Sequence, residues 1–482
     1  YKNIFIEYRD YFSKQLYSEN NKEALDYLNK RGLKKNIIEE FKLGYVPWKN
    51  NLYEELLKKY SEEEIKSLSN LNYQDLAKKI IFPFIDGFMT EDELSDIVDK
   101  SYSAFRKNDV VNLTKLGNVQ ILELFHGPTL AFKDVAMQFI GNLYEYYLEK
   151  NNSEINIVVA TSGDTGAAAI DAIKNKKNLN IFVLHPNNKI SSVQRQIMTT
   201  VSAKNVFNIA IEGNFDDCQN IVKSMFSDLE FSKSINMSGV NSINWARIIA
   251  QAVYYFYSYF KINSENLVSF SVPTGNFGDV YAGYLSKKIG LPIDRLIVAT
   301  NQNDILHRAI SSGEYIAKKV KETISPSMDI QIASNFERLI FDIKKNNSDL
   351  TKKIMEEIKN NSYIVSLEDL NEIRKNFLSE SISEEETLEI ISDIYQKYDL
   401  ILDPHSAIGI GALQKLKLSK NVISLATAHP SKFPEAISKA INKTADLPKQ
   451  FEDILLKKEK FKVLDNNIDK IKKYVKQKVY EN

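Results

Sequence analysis

The stretch I-N-I-V-V-A-T-S-G-D-T-G-A-A-A-I-D-A-I, from Ile155 to Ile173, has the pattern that decides the fold. Its first six residues form an almost continuous apolar run, which is typical of a strand that is buried on both faces. A glycine loop follows from Thr161 to Gly166, and the small residues after it predict a closely packed helix. A strand that leads through such a loop into a helix is typical of a parallel sheet in an α/β protein.

A second stretch further along the chain repeats this design. The apolar run Leu267 to Val272 enters the loop P-T-G-N-F-G-D (Pro273 to Asp279), and the helical pattern V-Y-A-G-Y-L follows. In each loop glycine allows backbone N–H groups to face outward, and the following helix adds the positive end of its dipole. Glycine is scarce, with 17 in 482 residues, so both loops are candidate anion-binding sites. Either could still be an ordinary turn, and neither matches the nucleotide-binding glycine motifs.

Short apolar runs alternate with helical patterns from about residue 155 to residue 430, which predicts a parallel sheet covered on both faces. The other predicted strands in this region are Ile181–Leu184, Asn208–Ile211, Leu296–Thr300 and Val422–Ala426. A Lys/Glu/Ile-rich stretch at about residues 322–400 predicts a helical insertion, and the charged tail after Phe451 predicts further helix. Residues 71–150 are predicted to be mainly helical, with one apolar run from Val119 to Phe125.

Composition narrows the classes of function. The 63 basic residues balance 63 acidic residues, so the chain has no overall field that would attract nucleic acid or an anionic membrane. The single cysteine, Cys218, excludes an internal disulfide and a Cys-rich metal site, and we interpret it as a packing residue. No apolar run approaches the ~18–20 residues of a membrane span. We therefore expect a cytoplasmic protein without a nucleic-acid partner, a membrane partner or a bound metal.

A lysine follows an apolar cluster in L-F-H-G-P-T-L-A-F-K-D, which runs from Leu124 to Asp134. Lys133 could be a helix-terminal lysine whose amine reaches solvent, as most lysines do. Alternatively, partial burial could lower the pKa of the amine and leave it neutral and nucleophilic, ready to form a Schiff base. Together with two anion-binding loops, this lysine favours a cofactor that carries both an aldehyde and a phosphate.

Eight segments resemble threonine synthase, a pyridoxal-phosphate enzyme of the tryptophan-synthase-β-like fold. They occur in order over about residues 71–440: L-F-H-G-P-T-L-A-F-K-D, A-T-S-G-D-T-G-A-A, I-E-G-N-F-D-D-C-Q, N-S-I-N-W-A-R, V-P-T-G-N-F-G-D-V-Y-A-G, S-P-S-M-D-I-Q-I-A-S-N-F-E-R, D-P-H-S-A-I-G and A-T-A-H-P-S-K-F. The resemblance implies a two-domain α/β enzyme with parallel sheets (fold type II) and pyridoxal 5'-phosphate as its cofactor.

The resemblance also implies roles for individual residues. The residues implied to bind the cofactor are Lys133, Gly275, Asn276, Phe277, Gly278, Asp279 and Thr427. The residues implied to bind the substrate are Ser162, Asp164, Thr165, Asn241 and Arg247. Within these sets, Lys133 forms the Schiff base, the loop Gly275 to Asp279 holds the cofactor phosphate and Thr427 faces the pyridine nitrogen. Asn241 and Arg247 bind the phosphate of the substrate, because the guanidinium fork matches phosphate geometry.

The implied reaction converts O-phospho-L-homoserine and water to L-threonine and phosphate, with Lys133 as the base at the α-carbon. Three histidines in matched segments are interpreted otherwise. We expect His126 and His429 to be hydrogen-bonded core residues and His405 to orient a loop. The sequence leaves open whether the chain is a monomer or a homodimer.

The N-terminal segment departs from this family. Glu23 to Pro47 resembles the helical stretch that links the zinc-binding module of bacterial DNA primase to its polymerising core, and the resemblance covers about residues 1–64. None of the primase zinc cysteines or acidic metal ligands is present in the sequence. We hypothesise that two coding segments join at about residues 60–70. The predicted units are a primase-like helical segment (1–66), a first catalytic half with Lys133 (67–250), a second catalytic half with the insertion (251–446) and a helical tail (447–482).

Two alternatives remain at this point. A related enzyme, such as another amino-acid lyase or dehydratase of the same fold type, would share the fold without sharing the reaction. A catalytically impaired chimera with a primase fragment is the other, because replacing the usual N-terminal segment could expose apolar surface near residues 71–125.

Overall fold

The computed structural model describes residues 67–481 apart from residues 86, 263 and 265, together with Tyr17. The predictions for the primase-like segment, residues 1–66, therefore lie outside the described residues apart from Tyr17.

Two sheets made mostly of parallel strands, together with a separate two-stranded antiparallel sheet, make up the β-structure of the described part of the chain. Its strands are β1 Asn112–Leu116, β2 Val119–Glu123, β3 Ile155–Ala160, β4 Leu179–Pro186, β5 Val206–Glu212, β6 Met237–Ser238, β7 Val268–Pro273, β8 Ile293–Thr300, β9 Glu314–Tyr315, β10 Tyr363–Ile364, β11 Phe377–Ser381, β12 Val422–Ala426 and β13 Lys462–Asp465.

Helices cover both faces of these sheets. They are α1 Tyr73–Ile81, α2 Glu91–Tyr102, α3 Lys133–Lys150, α4 Asp164–Ile173, α5 Ser192–Thr199, α6 Phe215–Ser227, α7 Leu229–Ser234, α8 Trp245–Ile262, α9 Gly278–Lys288, α10 Ile305–Ser311, α11 Phe336–Ile343, α12 Ser348–Lys359, α13 Leu367–Asn376, α14 Glu384–Tyr398, α15 Pro404–Lys415, α16 Pro434–Ile441 and α17 Ile468–Glu481. Within the described residues, none of these helices is long and apolar enough to cross a bilayer.

Local sequence explains where several helices begin. At the start of α2, the Glu93 N–H donates to the Thr90 hydroxyl (3.2 Å) and the Thr90 N–H donates to the Glu93 carboxylate (2.7 Å). Ser383 and Glu386 exchange the same pair of bonds at the start of α14. Such capping boxes satisfy N–H groups that the first helical turn leaves without partners.

The first sheet has five parallel strands in the order β13-β5-β4-β3-β6. Alternate residues of β3 enter two separate cores. Ile157 and Val159 pack with residues of α3, α4 and α5, whereas Val158 packs with residues of α6 and α17. Because both faces are buried, the strand needs apolar residues at successive positions, which explains its continuous apolar run.

The second sheet has six strands in the order β1-β2-β12-β7-β8-β11. The pair β1 and β2 is an antiparallel hairpin, and the other neighbours are parallel. Each predicted glycine loop follows the carboxyl end of a parallel strand, one at β3 in the first sheet and one at β7 in the second. Ligands of open α/β sheets bind outside these carboxyl ends.

The predicted strands are confirmed, and the structure adds or corrects three points. Strand β1, which was not predicted, pairs with β2 of the predicted run Val119 to Phe125. The stretch 322–400 is not a purely helical insertion, because β11 within it pairs with β8 and extends the second sheet. The C-terminal tail likewise supplies β13, which pairs with β5.

The predicted boundary at residue 250 does not separate the two sheets. Strands β1 and β2 precede it but belong to the second sheet, and β13 of the tail belongs to the first. Near the N-terminal end of the described residues, the ring of Tyr73 on α1 lies 5.2 Å from Tyr102 of α2 and 5.3 Å from Tyr257 of α8. Tyr73 is fully buried. At this position, the apolar surface near residues 71–125 that the chimera alternative expects to be exposed is therefore covered.

Candidate active site

Every residue that the sequence analysis assigned to a site lines one cavity of about 770 Å³. The predicted site residues that line it are Lys133, Ser162, Asp164, Thr165, Asn241, Arg247, Gly275, Asn276, Phe277, Gly278, Asp279 and Thr427. They come from five segments that are far apart in the sequence. The two sheets therefore bring together side chains that only the sequence motifs had connected.

Lys133 is a buried amine at the cavity wall. It is the first residue of α3 and is only 8% exposed. Its Nζ lies 3.4 Å from Oδ2 of Asp164 and 4.7 Å from the centre of the Phe132 ring. Burial lowers the pKa of Lys133, and the positive charges of Lys432 and Arg247 lower it further, although Asp164 acts in the opposite direction. The interpretation of Lys133 as a solvent-exposed lysine is therefore wrong.

Asp164 is the carboxylate that faces this amine. Its Oδ1 lies 2.6 Å from Nζ of Lys432 and accepts a hydrogen bond from Nε2 of Gln194 (2.9 Å). Its Oδ2 contacts Lys133 and accepts a hydrogen bond from the Ser327 hydroxyl (3.3 Å). Burial alone would raise the pKa of Asp164, but the nearby charges of Lys432 and Lys133 outweigh burial and hold it well below its ordinary value.

The glycine loop after β3 orients Asp164. The hydroxyl of Thr161 accepts hydrogen bonds from the N–H groups of Gly163 (3.0 Å) and Gly166 (2.8 Å). Gly163 has a φ of +131°, and a Cβ there would lie 2.9 Å from the side chain of Gln194. Only glycine fits both the backbone conformation and this space. The turn places Asp164 at the first position of α4.

The glycine loop after β7 forms a cradle at the start of α9. Phe277 is in the left-handed region (φ +63°), and its fully buried ring lies 5.5 Å from Phe336 and from Phe377. The core thus holds a strained residue in place. A Cβ at Gly275 would lie 2.8 Å from the Ser327 carbonyl oxygen. The first N–H groups of an α-helix have no intrahelical acceptor, so this end of α9 favours an anion.

Asp279 lies inside the first turn of α9. Its Oδ1 accepts hydrogen bonds from the hydroxyls of Tyr254 (2.5 Å) and Tyr255 (2.9 Å). Its Oδ2 is buried and has no hydrogen-bond partner among the described residues. Burial raises the pKa of Asp279 to about 6, although the two tyrosine hydroxyls lower it. A carboxyl group of this kind can hold a proton beside a bound anion.

Arg247 and Asn241 lie on the same side of the cavity. Arg247 is 4% exposed, and its Nη1 donates to the Val240 carbonyl (3.2 Å), whereas its buried Nε has no partner within the described part of the chain. Burial lowers the pKa of Arg247 to about 10. Asn241 is exposed at the cavity. A buried guanidinium with a free N–H is suited to bind an anionic group.

Thr427 lies next to Lys133 because two segments pair. The Phe132 N–H donates to the Thr427 carbonyl (2.8 Å), and Ala131 and Ala428 form an isolated antiparallel bridge. The Thr427 N–H donates to the Ser406 hydroxyl (3.0 Å). The end of β12 and the start of α3 are therefore held in a fixed relation.

All three histidines form hydrogen bonds, but His429 is only half-buried and is therefore not the core residue that the sequence analysis expected. His405 hydrogen bonds to Asp403 through Nδ1 (2.9 Å), and its Nε2 accepts from the Ser327 N–H (3.3 Å), so it orients the segment that carries Ser327. His126 hydrogen bonds to Glu123 (2.8 Å). His429 contacts the Ser431 hydroxyl (2.7 Å), and burial lowers its pKa to about 4.

Cys218 is fully buried, and burial raises the pKa of its thiol to about 12. It is therefore a packing residue, as the sequence analysis expected.

Sequence reasoning missed four polar residues that hold the site together: Gln194, Ser327, Asn335 and Lys432. Asn335 is fully buried, and its Nδ2 donates to the carbonyls of Ser242 and Asn276 (both 3.1 Å), so it connects the Asn241 segment to the second glycine loop. Three of the four lie in segments that resemble threonine synthase, which was a usable signal. Gln194 lies in none of the quoted segments.

These residues fit a cofactor that carries an aldehyde and a phosphate. A buried amine suits the aldehyde, and the start of α9 suits the phosphate. The cradle at Gly275 has no room for a side chain beside Ser327. The unpaired Oδ2 of Asp279 and the unpaired Nε of Arg247 are the kind of buried polar atoms that a ligand would satisfy.

Comparison with known proteins identifies the class and then the family. A family model described as "Pyridoxal-phosphate dependent enzyme" matches residues 112–357. The chain is therefore a pyridoxal-phosphate-dependent enzyme, and its sheets and site are those of fold type II. A second model, "Threonine synthase, C-terminal", matches residues 406–475. The chain belongs to the threonine synthase family, since a threonine synthase of Pseudomonas aeruginosa is 44% identical over 440 residues, covering 90% of this chain and 92% of that protein.

A further relative and two solved structures that are similar to this chain are also threonine synthases. A threonine synthase of Saccharomyces cerevisiae is 43% identical over 441 residues, covering 82% of this chain and 86% of that protein. A pyridoxal-phosphate-bound threonine synthase structure from Brucella melitensis matches with a TM-score of 0.84 and 43% identity, covering 87% of this chain and 91% of that one. A yeast threonine synthase structure matches with a TM-score of 0.81 and 40% identity, covering 86% of this chain and 91% of that one.

The resemblance of the N-terminal segment to primase is also confirmed. A model described as "DNA primase catalytic core, N-terminal domain" matches residues 11–90. This match extends beyond residue 64 and includes α1. The Pseudomonas aeruginosa relative aligns with 90% of this chain. The similarity to threonine synthase therefore extends over more of the chain than the roughly three quarters that the sequence motifs indicate. The hypothesis of two joined coding segments stays a prediction.

Proposed function

We propose that this chain converts O-phospho-L-homoserine and water to L-threonine and phosphate. The observation that carries the proposal is the convergence of Lys133, the cradle at the start of α9 and Arg247 on one cavity. Family membership supports the reaction, and the buried amine and guanidinium supply the groups that it requires.

We assign the cofactor to residues from both sheets. Lys133 holds the aldehyde carbon, the loop Gly275 to Asp279 holds the phosphate and Thr427 faces the ring nitrogen. When bound, pyridoxal phosphate withdraws electrons from the substrate and so makes its α-proton acidic. A threonine hydroxyl at the ring nitrogen, unlike a carboxylate, does not require that nitrogen to stay protonated.

Lys133 moves protons in this proposal. Its lowered pKa leaves a larger share of the amine uncharged at neutral pH, so the nitrogen can accept the α-proton of the substrate. After the amine has returned this proton, it can accept the proton that leaves the β-carbon as phosphate departs from the γ-carbon, and water then adds at the β-carbon. Asp164 lies within 3.4 Å and stabilises the protonated amine after each transfer.

Arg247 and Asn241 bind the substrate phosphate, and Ser162, Asp164 and Thr165 form the loop that receives the substrate carboxylate. Arg247 is suited to its role because a guanidinium that has already lost most of its hydration binds an anion strongly. The buried walls around Lys133 and Arg247 limit bulk water, which otherwise would compete for the reacting groups.

The test measures threonine and phosphate formation by the cofactor-loaded full-length chain. Lys133→Ala should abolish turnover, by three orders of magnitude or more, and should remove the site of borohydride fixation. Arg247→Ala should lower kcat/KM by on the order of 100-fold while leaving cofactor uptake intact, and Arg247→Lys should recover only part of the loss, because lysine has no fork. Cofactor-loaded protein that forms no threonine would contradict the proposal.

We further propose that the enzyme acts in the cytoplasm. The single cysteine, Cys218, which is buried and unpaired with another cysteine, supports a reducing compartment. Fractionation of the source cells would test this assignment.

A further inference from the structure

Lys432 is a buried lysine for which the proposed reaction has no use. It ends the short turn Pro430–Lys432 and is 0% exposed. A lysine is almost never fully buried unless its charge is paired. Its position next to the cavity, rather than on its wall, points to an action through a neighbour.

The contacts of Lys432 join three parts of the site. Its Nζ lies 2.6 Å from Oδ1 of Asp164 and donates to the Thr129 carbonyl (2.9 Å), which lies in the segment that precedes Lys133. Its own carbonyl accepts a hydrogen bond from the Ser191 hydroxyl (3.0 Å) at the start of α5. The side chain is therefore held in one place.

Asp164 lies between two amines, one on each carboxylate oxygen. Lys432 is the nearer at 2.6 Å, whereas Lys133 is at 3.4 Å. A buried carboxylate requires a cation, and Lys432 satisfies that requirement without Lys133. The charge of Lys432 also repels a second positive charge on the neighbouring amine.

Other charged or titratable groups lie near Lys133 and its partner Asp164. Arg247 of α8 opposes its protonation, as Lys432 does. Asp279 of α9 interacts electrostatically with Lys133, and the ring of His405 with Asp164. Among these groups, only Lys432 both contacts Asp164 at ion-pair distance and lies outside the cavity wall.

We propose that Lys432 is a positioning residue of the active site, which binds Asp164 and so leaves the Lys133 amine uncharged and able to react. The inference rests on the proposed role of Lys133 as the cofactor lysine. If Lys432 were removed, Lys133 would be the cation nearest to Asp164 and would hold its proton more tightly. The expected result is slower reaction of Lys133 with an aldehyde at neutral pH.

The test follows pyridoxal phosphate uptake by the cofactor-free full-length protein from about pH 6 to 10, without substrate. Uptake is measured by absorbance, and borohydride reduction with peptide mapping confirms that Lys133 is the residue modified. In Lys432→Met, the pH of half-maximal uptake rate should rise by at least about one unit, which makes uptake at pH 7 roughly tenfold slower. Lys432→Arg keeps the charge and should keep the wild-type profile.

A matched control is Lys176→Met. Lys176 is also mostly buried and lies 2.9 Å from Glu145, but it does not line the cavity. Its profile should equal that of the wild type. An unchanged profile in Lys432→Met, or an equal shift in the control, would overturn the inference.

If Lys432→Met does not fold, the double variant Asp164→Asn/Lys432→Met tests the same idea with neither buried charge. Its half-maximal pH should lie below that of the wild type, because the variant loses both the attraction of Asp164 for the Lys133 proton and the repulsion by Lys432, and the attraction is the larger of the two. A value above the wild type would overturn the inference. Wild-type protein that takes up no cofactor on Lys133 would instead contradict the proposed function.

Discussion

The two glycine loops of this enzyme have the same design, yet the pKa values of the carboxyl groups that they hold are shifted in opposite directions. Each loop joins a buried parallel strand to the start of a helix and presents an aspartate in the first turn. Asp164 has a pKa well below its ordinary value, whereas the pKa of Asp279 is raised to about 6. The same local structure therefore does not determine the pKa of the residue that it presents.

Long-range partners account for the difference. Lys133 and Lys432, which face Asp164, come from distant parts of the chain, and their charges outweigh the effect of burial. Asp279 is also buried, but Tyr254 and Tyr255 contact it as neutral hydroxyls. Hydrogen bonds from hydroxyls stabilise a carboxylate less than two nearby cations do. One loop is thereby suited to face an amine and the other to face an anion.

The largest effect that tests this comparison is expected for Asp164→Asn. Removing one partner of a buried ion pair leaves Lys432 buried without its counter-charge, so the free energy of unfolding of the cofactor-free protein should fall by about 3–5 kcal/mol at pH 7. The pKa of Asp164 is lowered by folding, so its contribution is present above its unfolded value of ~3.9 and is lost as the pH falls below it. Urea unfolding at pH 7 and at lower pH measures both.

A control on the same helix is Asp171→Asn. Asp171 pairs with Lys174, whose side chain is 40% exposed, and pairs at the surface contribute about 1 kcal/mol or less. Asp171 also accepts a hydrogen bond from Nε2 of Gln138 (2.8 Å), which an asparagine side chain can still accept. Equal losses in the two variants would contradict the assignment of Asp164 to a buried charge network.

At Asp279 we expect a smaller effect, in which the contribution to stability decreases as the pH rises, whereas that of Asp164 increases. Because folding raises the pKa of Asp279 to about 6, the folded protein binds this proton more tightly than the unfolded chain does. The resulting stability is present below about pH 4 and is lost as the pH rises toward 6, by on the order of 2–3 kcal/mol. Asp279→Asn does not titrate, so its stability relative to the wild type should increase between pH 4 and pH 7. Parallel stability curves for the two proteins would refute the raised pKa.

The smallest effect concerns the cradle itself. In Gly275→Ala the new methyl group would lie 2.8 Å from the Ser327 carbonyl oxygen and 3.2 Å from Cα of Met328, so backbone must move. We expect the affinity for pyridoxal phosphate to fall by about tenfold, which is ~1.4 kcal/mol. Equilibrium titration of the cofactor-free protein measures it.

Gly239→Ala is the matched substitution, because Gly239 does not line the cavity. Its methyl group would lie 3.2 Å from the ring of Phe226 and 3.9 Å, an ordinary contact distance, from Cγ of Asn241, which is assigned to the substrate and not to the cofactor. Cofactor affinity that is unchanged in Gly275→Ala would argue against this loop as the phosphate site.

Much of the fold and site could be predicted because their signals are local. The strand Ile155–Ala160 was predicted with its observed bounds, since a strand buried on both faces needs an apolar residue at every position. All the predicted site residues line one cavity. They could be predicted because each lies in a short motif, and the motifs that resemble the family occur in order along the chain. Strand β11 was missed, since its sequence F-L-S-E-S has mixed polarity at the edge of the sheet.

Lys432 shows where prediction from sequence stops. It lies in a segment that resembles the family, but its partner Asp164 is far away in the chain, and nothing in either segment indicates a contact of 2.6 Å. The same holds for Asn335, whose side chain connects two loops.

The amino-acid sequence by itself determined which segments form the buried central strands, where the chain turns through glycine and which residue types follow the ends of these strands. These properties depend on steric limits of the backbone and on the burial of neighbouring residues, which act over a few positions. Only the tertiary structure decided which amine is buried, in which direction the pKa of each buried carboxyl group shifts and which second lysine contacts the carboxylate that faces Lys133. Ionisation depends on solvent exclusion and on charges within a few ångströms, and those neighbours meet only when the two sheets are assembled.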